Sequence, residues 1–160
     1  MLPNWNSFVH RYEKVAIYND IRYTSLYSMV PTNHSTFGYE SLEAEALAQT
    51  IYAYCLAYNY SNNQYYLDEA KKYVTFPLLF EYKNASSQGN GGFHIFFNND
   101  TKLFEGYLKN TYEGWILAGL SYYYHFTKDT TVKTACNHLA GFLMDTLWND
   151  TNKWYDVYFH

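Results

Sequence analysis

The sequence predicts a mainly α-helical protein built from stacked antiparallel helical hairpins with a small β-hairpin between them. Three observations carry this. Apolar residues recur at the helical period over two long stretches, polar turns break each stretch in its middle, and the two stretches align with one another. A chain of 160 residues with 48% hydrophobic content is enough for one domain with a real core.

The first hairpin spans residues 39–80. Leu42, Ala46, Leu47, Ala53, Tyr54 and Ala57 follow the helical repeat, which predicts a helix from Ser41 to Tyr58. The run Asn59-Tyr60-Ser61-Asn62-Asn63 breaks it, because short polar side chains compete for nearby backbone groups. A second helix is expected from Gln64 to Phe76, with Tyr66, Ala70 and Tyr73 on one stripe and Pro77 ending it. Residues 84–92, "NASSQGNGG", read as a loop, and residues 93–108 as a short β-hairpin turning at Asn98-Asn99-Asp100. The second hairpin spans 110–148, with helices from Thr111 to Phe126 and from Thr130 to Leu147 and a turn at Thr127-Lys128-Asp129.

The two hairpins align at an offset of about 66 positions, "YSNNQYY" (Tyr60 to Tyr66) lying against "FTKDTTV" (Phe126 to Val132). One helical pair cannot bury its own apolar face, so such units stack, and two are seldom enough alone. A further layer is expected from the N-terminal segment, residues 1–38, or from neighbouring chains. In that segment Ser7 to Asp20 suits a helix, whereas Ile21 to Pro31 suits an extended strand.

Composition limits the function. A formal charge of -4 with 11 scattered Lys and Arg lacks the basic footprint of a nucleic-acid binder. No apolar run approaches the ~20 residues of a spanning helix, and Leu2-Pro3-Asn4-Trp5 after Met1 brings neither a basic segment nor an apolar stretch, so no signal peptide is expected in these residues. Cys55 and Cys136 fall inside expected helices without zinc-ligand spacing and read as buried free thiols, a disulfide between the hairpins being the alternative. The six His show no metal pairing, and Gly89-Asn90-Gly91-Gly92 leads into a strand rather than a helix, so neither a metal nor a nucleotide cofactor is expected.

Aromatic content is 22%, with 20 Tyr. Five N-x-Ser/Thr acceptor patterns begin at Asn33, Asn59, Asn84, Asn99 and Asn149, where roughly two would arise by chance. Each falls in an expected turn or loop, so an extracellular or cell-surface glycoprotein is anticipated.

The unit "AYNYSNNQYYLDEAKKY" resembles the repeat of α/α-toroid proteins, many of which act on carbohydrates. The order of elements over Ser41 to His160 is most similar to the C-terminal domain of D-glucuronyl C5-epimerases: a hairpin, Gly91-Gly92, "FHIFF", Phe104-Glu105-Gly106-Tyr107, "WILAGLSYYY" and Trp154-Tyr155-Asp156. Glu105-Gly106-Tyr107-Leu108 stands where that family has Glu-Glu-Tyr-Pro. The resemblance implies a toroid-like fold, a polysaccharide substrate and acid/base chemistry at a uronate C5, with Tyr107 and Tyr155 at the positions to watch.

The residues themselves offer the same chemistry. Glycosidic bonds are broken by paired carboxyl groups, and C5 epimerisation needs one proton removed and another returned. Glu40, Glu43 and Glu45 open the first hairpin, and Glu105 and Glu113 the matching end of the second. Carboxylates at helix N-termini are also favoured by the helix dipole alone. Trp115 sits mid-helix, whereas Trp148 and Trp154 flank a loop and are the better sugar platforms. Glycoside hydrolysis or polysaccharide lysis on the same fold is one alternative. A non-catalytic surface or filament subunit, self-associating through an apolar helical face, is the other.

Overall fold

The computed structural model describes residues 13–26, 41–106, 108–155 and 158–159, with the side chains of 26, 41, 108–111, 154–155 and 158–159 left aside. Strands β1 (Glu13–Tyr18) and β2 (Ile21–Leu26) come first, then β3 (Ser41–Glu43), α1 (Ala44–Ser61) and α2 (Gln64–Val74). A 3-10 turn (Pro77–Phe80), β4 (Phe96–Asn98), β5 (Leu103–Glu105) and β6 (Leu108–Lys109) lead to α3 (Asn110–Thr127) and α4 (Thr130–Phe142). A π-helical turn (Leu143–Leu147) and three two-residue strands, β7 (Trp148–Asn149), β8 (Trp154–Tyr155) and β9 (Tyr158–Phe159), end the chain. The protein is mainly helical, with small antiparallel sheets, as the sequence predicts.

The repeat is atomic at the two helical turns. Asn62 and Lys128 both adopt left-handed backbone, φ 52° and 57°, and donate their N–H groups to Tyr58 and Tyr124. The Ser61 and Thr127 hydroxyls donate back to the carbonyls of Ala57 and Tyr123 at 2.7 and 3.0 Å. Asn63 and Asp129 then cap the next helix, each side chain accepting from the backbone N–H two residues on, at 3.1 and 2.9 Å. Every pair keeps the offset of about 66 positions. The αL residue is Asn or Lys where glycine is commonest, and its N–H closes a helical end as a glycine would.

Helices α1 and α3 run parallel and form the main helical interface. They cross where Gly119 meets the backbone of Ala48, so closely that a Cβ on Gly119 would lie 2.3 Å from the Ala48 carbonyl oxygen. Tyr52 against Tyr122 and Tyr58 against Phe126 extend the seam, with ring centroids 5.0 and 5.1 Å apart. Each of the two helices folds back on its own partner, α2 or α4.

Four differences from the sequence reading have physical reasons. The stretch expected to form a helix up to Asp20 is instead strand β1 over Glu13–Tyr18, paired in register with β2 through a tight turn at Asn19-Asp20, both with positive φ. Alternation explains it: Ala16 is buried, while Val15 and Ile17 are exposed. Helix α1 begins at Ala44 rather than Ser41, because Ser41–Glu43 joins a sheet of order β3-β4-β5, where a two-stranded hairpin was expected. Asn59 lies in the last turns of α1 rather than in a loop. Helix α4 passes into π geometry at Leu143, short of the expected end at Leu147.

In the three-stranded sheet one face belongs to the core. Leu42, Phe97 and Phe104 form one cross-strand row. Phe97 packs on Tyr18, Phe76 and Phe104 at 5.8, 5.3 and 4.9 Å, joining β1, the end of α2 and both strands. Cys55 and Cys136 are buried free thiols, and burial pushes them up to about 12 and 11. Among the described residues no helix is long and apolar enough to cross a membrane.

Gly119→Ala is expected to destabilise the protein by about 1–3 kcal/mol, because the added methyl meets backbone that cannot turn aside. Gly114→Ala, five residues earlier in the same helix with open space around its Cβ, is expected to stabilise by up to ~1 kcal/mol. Urea unfolding of both variants at low protein concentration checks the contrast.

Candidate functional site

The face of the three-stranded sheet opposite the aromatic core carries carboxylates. Glu43 pairs with Phe96, and Phe96 with Glu105, so the three side chains project to one side in a single row. Two strand spacings put the Cα atoms of Glu43 and Glu105 ~9.5 Å apart. Glu43 is 5% exposed and Phe96 7%, while Glu105 is partly open and accepts from the Thr101 hydroxyl at 3.4 Å. Solvent therefore meets this row at Glu105.

Glu113 occupies a different environment. It sits in the first turn of α3, is fully buried, and accepts a 2.7 Å hydrogen bond at Oε1 from the Phe93 backbone N–H. Its Oε2 has no hydrogen-bond partner. Burial raises its proton affinity well above the usual carboxylate range, the bond from Phe93 offsetting only part of this. Through this bond Glu113 ties the segment leaving the Gly91-Gly92 loop to the start of α3. It does not open on a cleft with Glu43 and Glu105.

A second buried polar cluster lies between α1 and α2. The Tyr54 and Tyr73 rings stack at 6.0 Å, and the Tyr73 hydroxyl donates to Glu13 at 3.4 Å. Nearby Glu69 is 5% exposed and takes a 2.5 Å contact from Lys72. Thr50 Oγ1, Tyr54 Oη and Glu69 Oε2 are buried without hydrogen-bond partners. Desolvation first, then the neighbouring carboxylates Glu69 and Glu13, drive the Tyr54 hydroxyl far above its ordinary value. Both tyrosines stay neutral at any physiological pH.

An open cleft of about 650 Å³ lies elsewhere, between the loop following Glu81 and the N-terminal half of α4. Glu81, whose side chain is 7% exposed, accepts from Lys83 at 3.3 Å and meets His138 Nδ1 at 2.7 Å. The loop reaches α4 because Gly91, at φ +90°, leaves no Cβ to strike the His138 carbonyl. This carboxylate–imidazole pair was not visible in the sequence, where its members are 57 positions apart without a motif.

Of the other sequence-predicted residues, Glu45 accepts from Gln49 at 2.8 Å within α1. Trp148 pairs in register with Tyr155, and Trp154 with Asn149, across the β7–β8 hairpin. Asn33, Glu40 and Tyr107 lie outside the described residues, as do the side chains of Trp154 and Tyr155. Asn84 and Asn149 turn their side-chain oxygens onto the N–H groups of Ser86 and Thr151, both at 3.1 Å. Such turns explain the Asn at these positions but not the Ser or Thr two residues on, whose backbone N–H any residue but proline could supply. Among the described residues no three His, Cys, Asp or Glu gather to hold a metal.

Comparison of the chain with protein-family models, with curated proteins and with solved structures gave no match.

Glu113 contributes to a pH-dependent stability whose sign follows from its raised proton affinity. The contribution is complete below the ordinary glutamate range and declines as pH rises towards and through the raised value. Glu113→Gln keeps an acceptor for Phe93 and is expected to flatten this decline, its advantage over the native chain growing as pH rises from the ordinary glutamate range towards the raised value. Glu113→Ala strands the Phe93 N–H and should cost about 1–3 kcal/mol throughout. Thermal unfolding from pH 5 to pH 9 distinguishes the three chains.

Proposed function

We propose that this chain is an extracellular carbohydrate-active domain of α/α-toroid type, acting by acid/base chemistry on a uronic-acid polysaccharide in the manner of a C5-epimerase. The observation that carries the proposal is the Glu43–Phe96–Glu105 row, which sets two carboxylates on one sheet face with an aromatic ring between them. A pyranose would meet the row at Glu105, its open member, and would reach Glu43 only with the Phe96 ring displaced, since Glu43 and Phe96 are nearly fully buried. One carboxylate would take the C5 proton and the acid form of the other would return a proton from the opposite side.

The ~9.5 Å spacing of the Glu43 and Glu105 Cα positions is of the order of the carboxyl separation in inverting glycosidases. Hydrolysis by inversion, or lysis by β-elimination after the same proton abstraction, is therefore the nearest alternative chemistry. The resemblance in element order, from the Gly91-Gly92 loop through the Glu105 strand to the second hairpin, favours epimerisation among these. N-glycans at the exposed Asn59 and Asn84 would fit the same extracellular setting.

The test is incubation of uronic-acid polysaccharides with the protein in deuterium oxide. Deuterium at C5 without chain cleavage identifies epimerisation, new reducing ends identify hydrolysis, and unsaturated uronate absorbance identifies lysis. Glu43→Gln and Glu105→Gln are each expected to lower the observed rate by about 10²–10⁴-fold. Neither exchange nor cleavage on any such polymer would end the proposal.

A further inference from the structure

The interface between α1 and α3 has two sides, and the repeat supplies each side with a copy that is only partly covered among the described residues. On α1 the side facing α3 includes Ala48, Tyr52, Cys55 and Tyr58. The equivalent positions of α3 are Gly114, Ala118, Ser121 and Tyr124. Ala48 and Cys55 are fully buried, whereas Gly114 and Ser121 are exposed, and a Cβ at Gly114 would meet nothing within 4 Å. On α3 the side facing α1 includes Gly119, Tyr122 and Phe126, whose equivalents on α1 are Ala53, Leu56 and Tyr60. Ala53 and Leu56 are only partly covered, and Tyr60 is 83% exposed.

We propose that copies of this chain associate head to tail, the free face of α3 in one copy seating on the free face of α1 in the next, after the pattern that joins α1 to α3 within a chain. The pairing is specific. Gly114 would receive Ala53 at the crossing, as Ala48 receives Gly119, with the axes somewhat further apart because the Ala53 methyl must clear backbone. Ala118 would meet Leu56, and Tyr124 would meet Tyr60, in place of the Tyr52–Tyr122 and Tyr58–Phe126 contacts. Lys128 lies over one face of the Tyr124 ring, so Tyr60 would meet the other face, and Glu45 borders the α1 stripe at its N-terminal end; the remaining named positions of both faces are uncharged. The occupant is a second copy because the chain itself holds both complementary faces, on different helices. Such a contact is heterologous, and it propagates into a ring or a filament according to the rotation at each step. The inference is independent of the carbohydrate chemistry proposed above.

Two variants each block one face. Gly114→Lys places a charge where there is open space, and Tyr60→Glu changes a residue at the surface end of α1, so both leave the fold intact. The native chain is expected to show a mass that rises with concentration in sedimentation equilibrium. Each variant alone is expected to remain at the mass of one chain. An equimolar mixture should then form a 1:1 complex of twice that mass, because each variant retains the face the other lacks. Three results would overturn the proposal: a native chain monomeric at millimolar concentration, association of Tyr60→Glu alone with Gly114→Lys monomeric, which denotes a symmetric α3–α3 contact, or association of both single variants as in the native chain.

Discussion

The approach of Gly119 to the backbone of Ala48 sets the distance between α1 and α3, and the rest of the molecule is arranged around it. At this separation the Tyr52–Tyr122 and Tyr58–Phe126 pairs close the seam above the crossing. Below it, the N-terminal ends of both helices lie near enough for one extended segment to bridge them. Phe93 donates its N–H to Glu113 of α3, and the carbonyl of Ile95 accepts from the N–H of Ala44 in α1. The three-stranded sheet and its carboxylate row are thus held by the helical pair, not merely appended to it. A wider crossing would loosen both attachments at once.

The buried polar groups divide by what they hold. Glu113 satisfies a backbone donor where a strand enters the helical layer, a task that a neutral amide side chain could share. The Tyr54, Tyr73 and Glu69 cluster instead keeps hydroxyl and carboxyl groups inside the first hairpin, three of its neighbourhood's polar atoms lacking hydrogen-bond partners. The second hairpin has no counterpart, since Leu120 and Leu139 stand at the positions of Tyr54 and Tyr73 and are fully buried. The two units therefore share their turns and their crossing geometry while differing in the polarity of their interiors.

The helices and their turns were legible in the sequence because each is specified locally. Asn62-Asn63 and Lys128-Asp129 determine where one helix stops and the next begins, whatever the rest of the chain does. The sheet was less legible. Strand β3 consists of three residues that also continue a helical pattern, and its pairing with Phe96 more than fifty positions away outweighs local propensity. Glu113 illustrates the same limit at the level of a site. As a carboxylate in a helix's first turn it suited the helix dipole, yet the decisive neighbour is a backbone N–H supplied by another element. The pairing of Glu81 with His138 had no sequence signal at all, since it depends on Gly91 letting a loop lie against α4.

The twin turns also bear on the order in which the molecule forms. Each closes with hydrogen bonds between residues no more than four apart, so each helical hairpin can be assembled from local contacts. The crossing of Gly119 on Ala48 joins residues far apart in the chain and requires a long loop to be closed. Hairpin formation is therefore the rapid, local event, and docking of the two hairpins is the slower one that commits the chain to its native arrangement. The segment from Phe93 to Phe97 bonds to both helix ends, so its native hydrogen bonds depend on that docking.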